Sequence, residues 1–194
     1  MLRSIRFRFG SQLRFGNHSA SLMILSLLWV GVRSASAQPL PAVEAKPGEA
    51  YATAVKSGAW TFFNDPRAIY HRDTQEKTYG GFVDKVGSIG IWSYDHRTAK
   101  IDTFTLHPKL QQDDHDNPAF FVRKDGRIAV FYSKHGTENH FYGRVSKKVE
   151  DISDFEPERI FTPDDTTKAG ISYVHVFRLP AEKDKVFFFN RIVD

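Results

Sequence analysis

From Trp60 onward the apolar residues fall in short runs of four to eight, and polar segments bearing Asp or Gly separate them. No stretch carries the i, i+3, i+4 repeat of an amphipathic helix, so the pattern predicts β-strands joined by turns. Ala68–His71, Thr78–Val83, Ser88–Tyr94 and Ile101–Leu106 form a first group, linked by RDTQEK, DKVG and DHRTAK. Ala119–Val122, Ile128–Ser133, Phe141–Val145 and Arg159–Thr162 form a second, with Asp125-Gly126 as a hairpin turn. Ile171–Arg178 and Lys185–Asn190 begin a third. The groups repeat. Asp65-Pro66-Arg67-Ala68 aligns with Asn117-Pro118-Ala119, and Ala68 lies 51 residues before Ala119. YGGFVD (79–84), AVFYSKH (129–135) and VFFFNR (186–191) take the same place in successive units. Four strands in about 50 residues is the spacing of a β-propeller blade. The expected fold is all-β, the N-terminal part of a β-propeller over residues 58–194. A sandwich is the alternative, and it should lack this internal alignment.

Residues 1–37 do not belong to that pattern. Arg-rich Met1–Arg14 precedes the apolar run Leu22–Val32 and then Ala35-Ser36-Ala37, the order of a signal peptide cleaved after Ala37. At 11 residues the run is too short to span a bilayer, which takes roughly 20. The expectation is a secreted or periplasmic protein without a stable membrane anchor, with residues 38–57 as a Pro-containing linker. The leader also explains the formal charge of +4. It holds five Arg and no acidic residue, so 38–194 has 22 basic and 23 acidic residues and a charge near −1. Nothing in that balance seeks nucleic acid through bulk charge. The chain has no Cys, which excludes a thiol nucleophile and disulfide staples.

In an antiparallel blade the start of the innermost strand lies beside the end of the second. Each unit then offers a pair on one rim: Arg67 with Asp84, His115 with His135, Tyr173 with Arg191. Asp113, Asp114, Asp116 and Asn117 surround His115. Two His, a Tyr and two Arg on one rim supply a base, a phenolic donor and cations for an anionic group. His71, His96, His107 and His140 have no partner spacing and read as surface residues. His175, two residues after Tyr173, could share its face. The Asp cluster lacks an EF-hand or HExxH pattern, and GxGxxG, Walker A and GxSxG are absent. No cofactor and no metal are expected.

GAWTFFNDPRAIYH (58–71), HDNPAFFV (115–122), DGRIAVFYSKH (125–135), and ISYVHVFRL with VFFFNR together resemble the BNR-repeat family that includes ulvan lyases. SYDHRT (93–98) is a degenerate Asp-box turn without its Gly, so the likeness rests on the other segments. The resemblance implies a seven-bladed propeller, of which this chain would supply about two and a half blades. It also implies β-elimination in a sulfated algal polysaccharide beside a uronic acid, an acidic polysaccharide being the expected partner. The family's catalytic set falls on His115, His135, Tyr173 and Arg191, with Arg67 and Asn117 expected at the substrate. Arg191 with His135 would stabilise the enolate-like transition state, His115 would be the base, and Tyr173 would protonate the leaving oxygen. Exchange of the two His roles, or Tyr173 as both base and acid, fits the resemblance equally. A non-catalytic carbohydrate-binding propeller and a sialidase-like hydrolase are the competing functions.

Overall fold

The structure is a computed structural model that describes residues 3–6, 53–59, 68–163 and 170–193. All ten expected strands form. β1 is Arg3–Arg6; β2 Ala68–Arg72, β3 Glu76–Val83, β4 Ile89–Asp95 and β5 Ile101–His107 pair consecutively in one antiparallel sheet. β6 Ala119–Val122, β7 Ile128–Tyr132, β8 Phe141–Val145 and β9 Arg159–Phe161 make a second. β10 Gly170–Leu179 and β11 Lys185–Val193 make a third, and β1 pairs with the other edge of β11. Among the described residues the only helical turns are 3-10 turns at Asp114–Asp116 and Pro180–Glu182. The apolar run 22–32, the cleavage site after Ala37 and most of the expected linker lie outside the described residues. The β1–β11 pairing is one that only a chain retaining its N-terminus can make.

The middle sheet explains why its sequence is so uniformly apolar. Every residue of β7, Ile128–Tyr132, is buried. Phe120, Ile128, Val130, Tyr132 and Tyr142 pack toward the first sheet, in a core with Tyr79, Ile89, Ile91, Leu106, Ile152 and Phe155. Ala119, Ala129, Phe131 and Phe141 pack the other way, onto Ile171, Val174, Val176 and Phe188 of the third sheet. A strand buried on both faces loses period-two polarity and reads as a continuous apolar run. Face-to-face stacking of successive four-stranded sheets is β-propeller-like. The first strands of all three sheets contribute to one cleft of about 400 Å³, lined by residues such as Ile69, Phe121, Val122, Phe177 and Leu179.

The third sheet is fastened to the second at the start of β10. Ile171 N donates to Glu138 O at 2.7 Å and Gly136 N donates to Ile171 O at 3.0 Å. A Cβ on Gly170 would stand 1.9 Å from the Gly136 carbonyl oxygen. The backbones approach so closely that only glycine fits. We predict that Gly170→Val lowers stability by about 1–3 kcal/mol, the usual cost of overpacking, as read by denaturant midpoint; an unchanged midpoint would mean that the two sheets are not held at this point.

Candidate active site

The loop that enters β6 creates the site. Asp113 caps the 3-10 turn Asp114–Asp116: its side chain accepts from the His115 backbone N at 2.9 Å, the local bond expected of Asp two residues before its donor. The same carboxylate then takes both imidazoles. Oδ1 lies 2.5 Å from His115 Nδ1 and Oδ2 lies 2.9 Å from His135 Nδ1. His135, just beyond β7, is held from its other side by its backbone N, which donates to Gln111 Oε1 at 2.8 Å. The two rings stack, with centroids 4.0 Å apart and planes 9° from parallel.

Tyr173 joins them from β10. Its ring lies 5.1 Å from His115 and 5.7 Å from His135. It reaches this position through a bulge: Ser172 pairs with Arg191, but His175 pairs with Phe189, so β10 carries one extra residue. Tyr173 itself has φ +56°, in the left-handed region. Such a conformation costs a non-glycine residue about 1–2 kcal/mol and is sustained here by the pairing on both sides. The bulge also breaks the simple alternation by which His175 would have shared Tyr173's face. Arg191 donates from Nη1 to Tyr173 Oη at 3.4 Å, and its guanidinium sits 5.7 Å over the Tyr173 ring.

The four residues expected to be catalytic thus converge on one place. Arg67 lies outside the described residues. Asn117 is 1% exposed and C-caps the 3-10 turn, its backbone N–H donating to Asp114 O. Asp84 serves its own turn, accepting from Val86 N and Ser88 N. Sequence reasoning gave Asp113 no role beyond the cluster around His115. The Asp-x-His spacing is the signal that could have found it.

Burial raises the Asp113 carboxyl, but hydrogen bonds from the His115 N–H and both imidazoles outweigh it and hold it below the usual carboxylate range. Ionised Asp113 accepting at both Nδ1 atoms fixes them as Nδ1–H, which puts each ring's lone pair on Nε2, the arrangement of a general base. The Asp113, His115 and His135 ligand atoms also lie within 4.8 Å of one another. Both imidazoles are aligned on the carboxylate, so a cation would have to break two formed hydrogen bonds. Asp116 beside them is different. It is 1% exposed with neither carboxylate oxygen hydrogen-bonded. Burial first, then the Asp113 charge, push its pKa up to about 8, against a smaller opposing effect of Lys134.

Residues 77–193 match the BNR repeat-containing family, and the chain belongs to it. Among solved structures it is similar to a PL25 ulvan lyase, a polysaccharide lyase, bound to -[GlcA(1-4)Rha3S]-. The TM-score is 0.55 at 21% identity, over 70% of this chain and 34% of that one. A second structure of a PL25 ulvan lyase gives a TM-score of 0.54, also at 21% identity and over the same shares. The chain therefore spans about a third of the length of the structures it matches. Their likeness is one of fold. No curated protein matches the sequence.

Asp116 gives a prediction with a definite sign. A carboxyl whose folded pKa is raised binds its proton more tightly when folded, so its contribution is full below the unfolded value near 4 and is lost as pH rises toward about 8. Asp113 acts oppositely, its contribution vanishing as pH falls below the normal carboxylate range. Asp116→Asn should therefore flatten the decline of Tm between about pH 4 and pH 8 and exceed the parent in stability at the alkaline end. Parallel Tm profiles for the two proteins would refute this.

Proposed function

We propose that this chain carries the catalytic rim of a secreted polysaccharide lyase that cleaves a uronic-acid-containing, ulvan-type polysaccharide by β-elimination. The observation that carries the reading is the stacked His115–His135 pair on Asp113, with Tyr173 and Arg191 closing over it. In the elimination a base removes the proton α to the uronate carboxylate, the bond from the β-carbon to the glycosidic oxygen breaks, and a double bond forms between the two carbons. Negative charge builds on the carboxylate as the proton leaves. The Arg191 guanidinium is suited to receive it. His115 Nε2, directed by the Asp113 bond at Nδ1, is suited to take the proton. Tyr173 accepts from Arg191 and keeps its own proton for the departing oxygen. The histidine roles can be exchanged without altering the chemistry, and Arg67 is proposed as a second cation for the acidic chain.

The reading places the chain as the N-terminal part of a seven-bladed propeller, with about two and a half blades present here. It also takes residues 1–37 as an export leader. On its removal the β11 edge now lined by β1 would be open to a later strand of the same blade.

The test is ultraviolet absorbance of unsaturated uronate ends on incubation with ulvan, using the chain together with any coding sequence that continues its frame beyond Asp194. The expected result is release that falls by about 10²-fold or more in His115→Ala or Tyr173→Phe, the usual scale for removing a general acid or base. Binding of ulvan without any product, unaffected by His115→Ala, would replace this reading with a non-catalytic carbohydrate-binding propeller.

A further inference from the structure

A second cluster of chemically capable side chains lies at the opposite ends of the strands. His71 is near the end of β2, Asp73 is in the turn before β3, and Glu150 follows β8. The Glu150 N–H donates to Gly126 O in the β6–β7 turn, which places Glu150 at the end of β6 and β7 away from His115 and His135. Although its side chain is fully buried, at 0% exposure, Glu150 is not uniformly satisfied. Oε2 accepts from the Thr74 hydroxyl and, at 2.8 Å, from Gln75 N. Its backbone carbonyl accepts from Lys77 Nζ at 3.2 Å and from Tyr79 Oη at 3.0 Å. Oε1 faces His71 Nε2 at 2.9 Å. The two atoms can pair by charge when His71 is protonated, yet both are buried and their contact lacks hydrogen-bond alignment.

That is an expensive way to bury an imidazole and a carboxylate oxygen. The separation itself points to a cause. Two N or O ligands about 2.1 Å from one metal ion stand roughly 3 Å apart when they subtend a right angle. The Asp73 carboxylate completes the group, with the ligand atoms of His71, Asp73 and Glu150 all within 4.8 Å of one another. Asp73 is exposed, so it offers an ion a route in from solvent. Lys77 bonds the Glu150 carbonyl rather than its carboxylate.

We infer that His71, Asp73 and Glu150 form a divalent-metal site that takes Zn²⁺ and ties the first sheet to the second. One imidazole with two carboxylates suits Zn²⁺, whereas Mg²⁺ and Ca²⁺ prefer oxygen ligands alone. The contrast with the rim is direct. There Asp113 is hydrogen-bonded to both imidazoles, while here the nitrogen and oxygen approach to 2.9 Å without hydrogen-bond alignment. The site is structural, remote from the elimination chemistry, and independent of the function proposed above.

The experiment is titration of the chelator-treated, dialysed chain with ZnCl₂, followed by calorimetry and by Tm, on the parent and on Asp73→Asn, His71→Ala and Asp113→Asn. The expected result is one Zn²⁺ per chain with a rise in Tm, affinity at least tenfold weaker in Asp73→Asn, loss in His71→Ala, and little change in Asp113→Asn. MgCl₂ at the same concentrations should leave Tm unchanged. Asp73 is exposed, so its variant keeps the test valid even if His71→Ala fails to fold. No Zn²⁺ uptake, or uptake that survives Asp73→Asn and disappears in Asp113→Asn, would overturn the inference and leave the cluster as a polar clasp.

Discussion

One carboxylate organises the candidate site. Asp113 caps the turn entering β6, binds His115 at Nδ1 and reaches across to His135 at the end of β7. Two imidazoles stacked at 4.0 Å would repel strongly if both were protonated. The anion between them makes the pair tolerable and gives both rings the same orientation. Tyr173 then has only one surface to meet, and Arg191 follows through its bond to the phenol. Removing that carboxylate would take away the one group bonded to both imidazoles.

The scaffold is rigid because the sheet beneath the site is buried on both faces. His115 and His135 extend from β6 and β7, whose residues pack into both cores. Tyr173 comes from β10, fastened to the segment after His135 by backbone bonds and by the close approach of Gly170. The same architecture keeps the two clusters apart. The rim gathers residues at the starts of first strands, and the His71–Glu150 group gathers where those strands end. Both clusters set acidic side chains against imidazoles, but only Asp113 makes aligned hydrogen bonds to its two.

Local pattern was enough for the strands. Each of the ten was visible as an apolar run between turn residues, and the 51-residue offset from Ala68 to Ala119 showed that they were grouped in fours. The rim pairs His115–His135 and Tyr173–Arg191 were legible for the same reason, since strand starts and ends follow from the repeat. What stayed hidden depends on contacts that have no period. The Tyr173 bulge adds a residue that alternation does not register. Two of the histidines read as surface residues meet acids far along the chain: His107 with Glu158 at 2.7 Å and His71 beside Glu150. Glu150 sits in a polar loop, SKKVEDISD, that gives no hint of burial. Asp113 lay in plain view among neighbouring acids; its reach to both imidazoles sets it apart from Asp114, whose Oδ1 lies 3.0 Å from His115 Nδ1.

The measurement that tests the central claim most directly is the tautomeric state of the two histidines, read from imidazole ¹⁵N chemical shifts by NMR above the pH at which they titrate. With Asp113 accepting at both Nδ1 atoms, His115 and His135 should each appear as the Nδ1–H tautomer, and both should relax toward the ordinary mixture in Asp113→Asn. Nε2–H signals for the pair, or shifts indifferent to Asp113→Asn, would contradict the claim that this carboxylate builds the site.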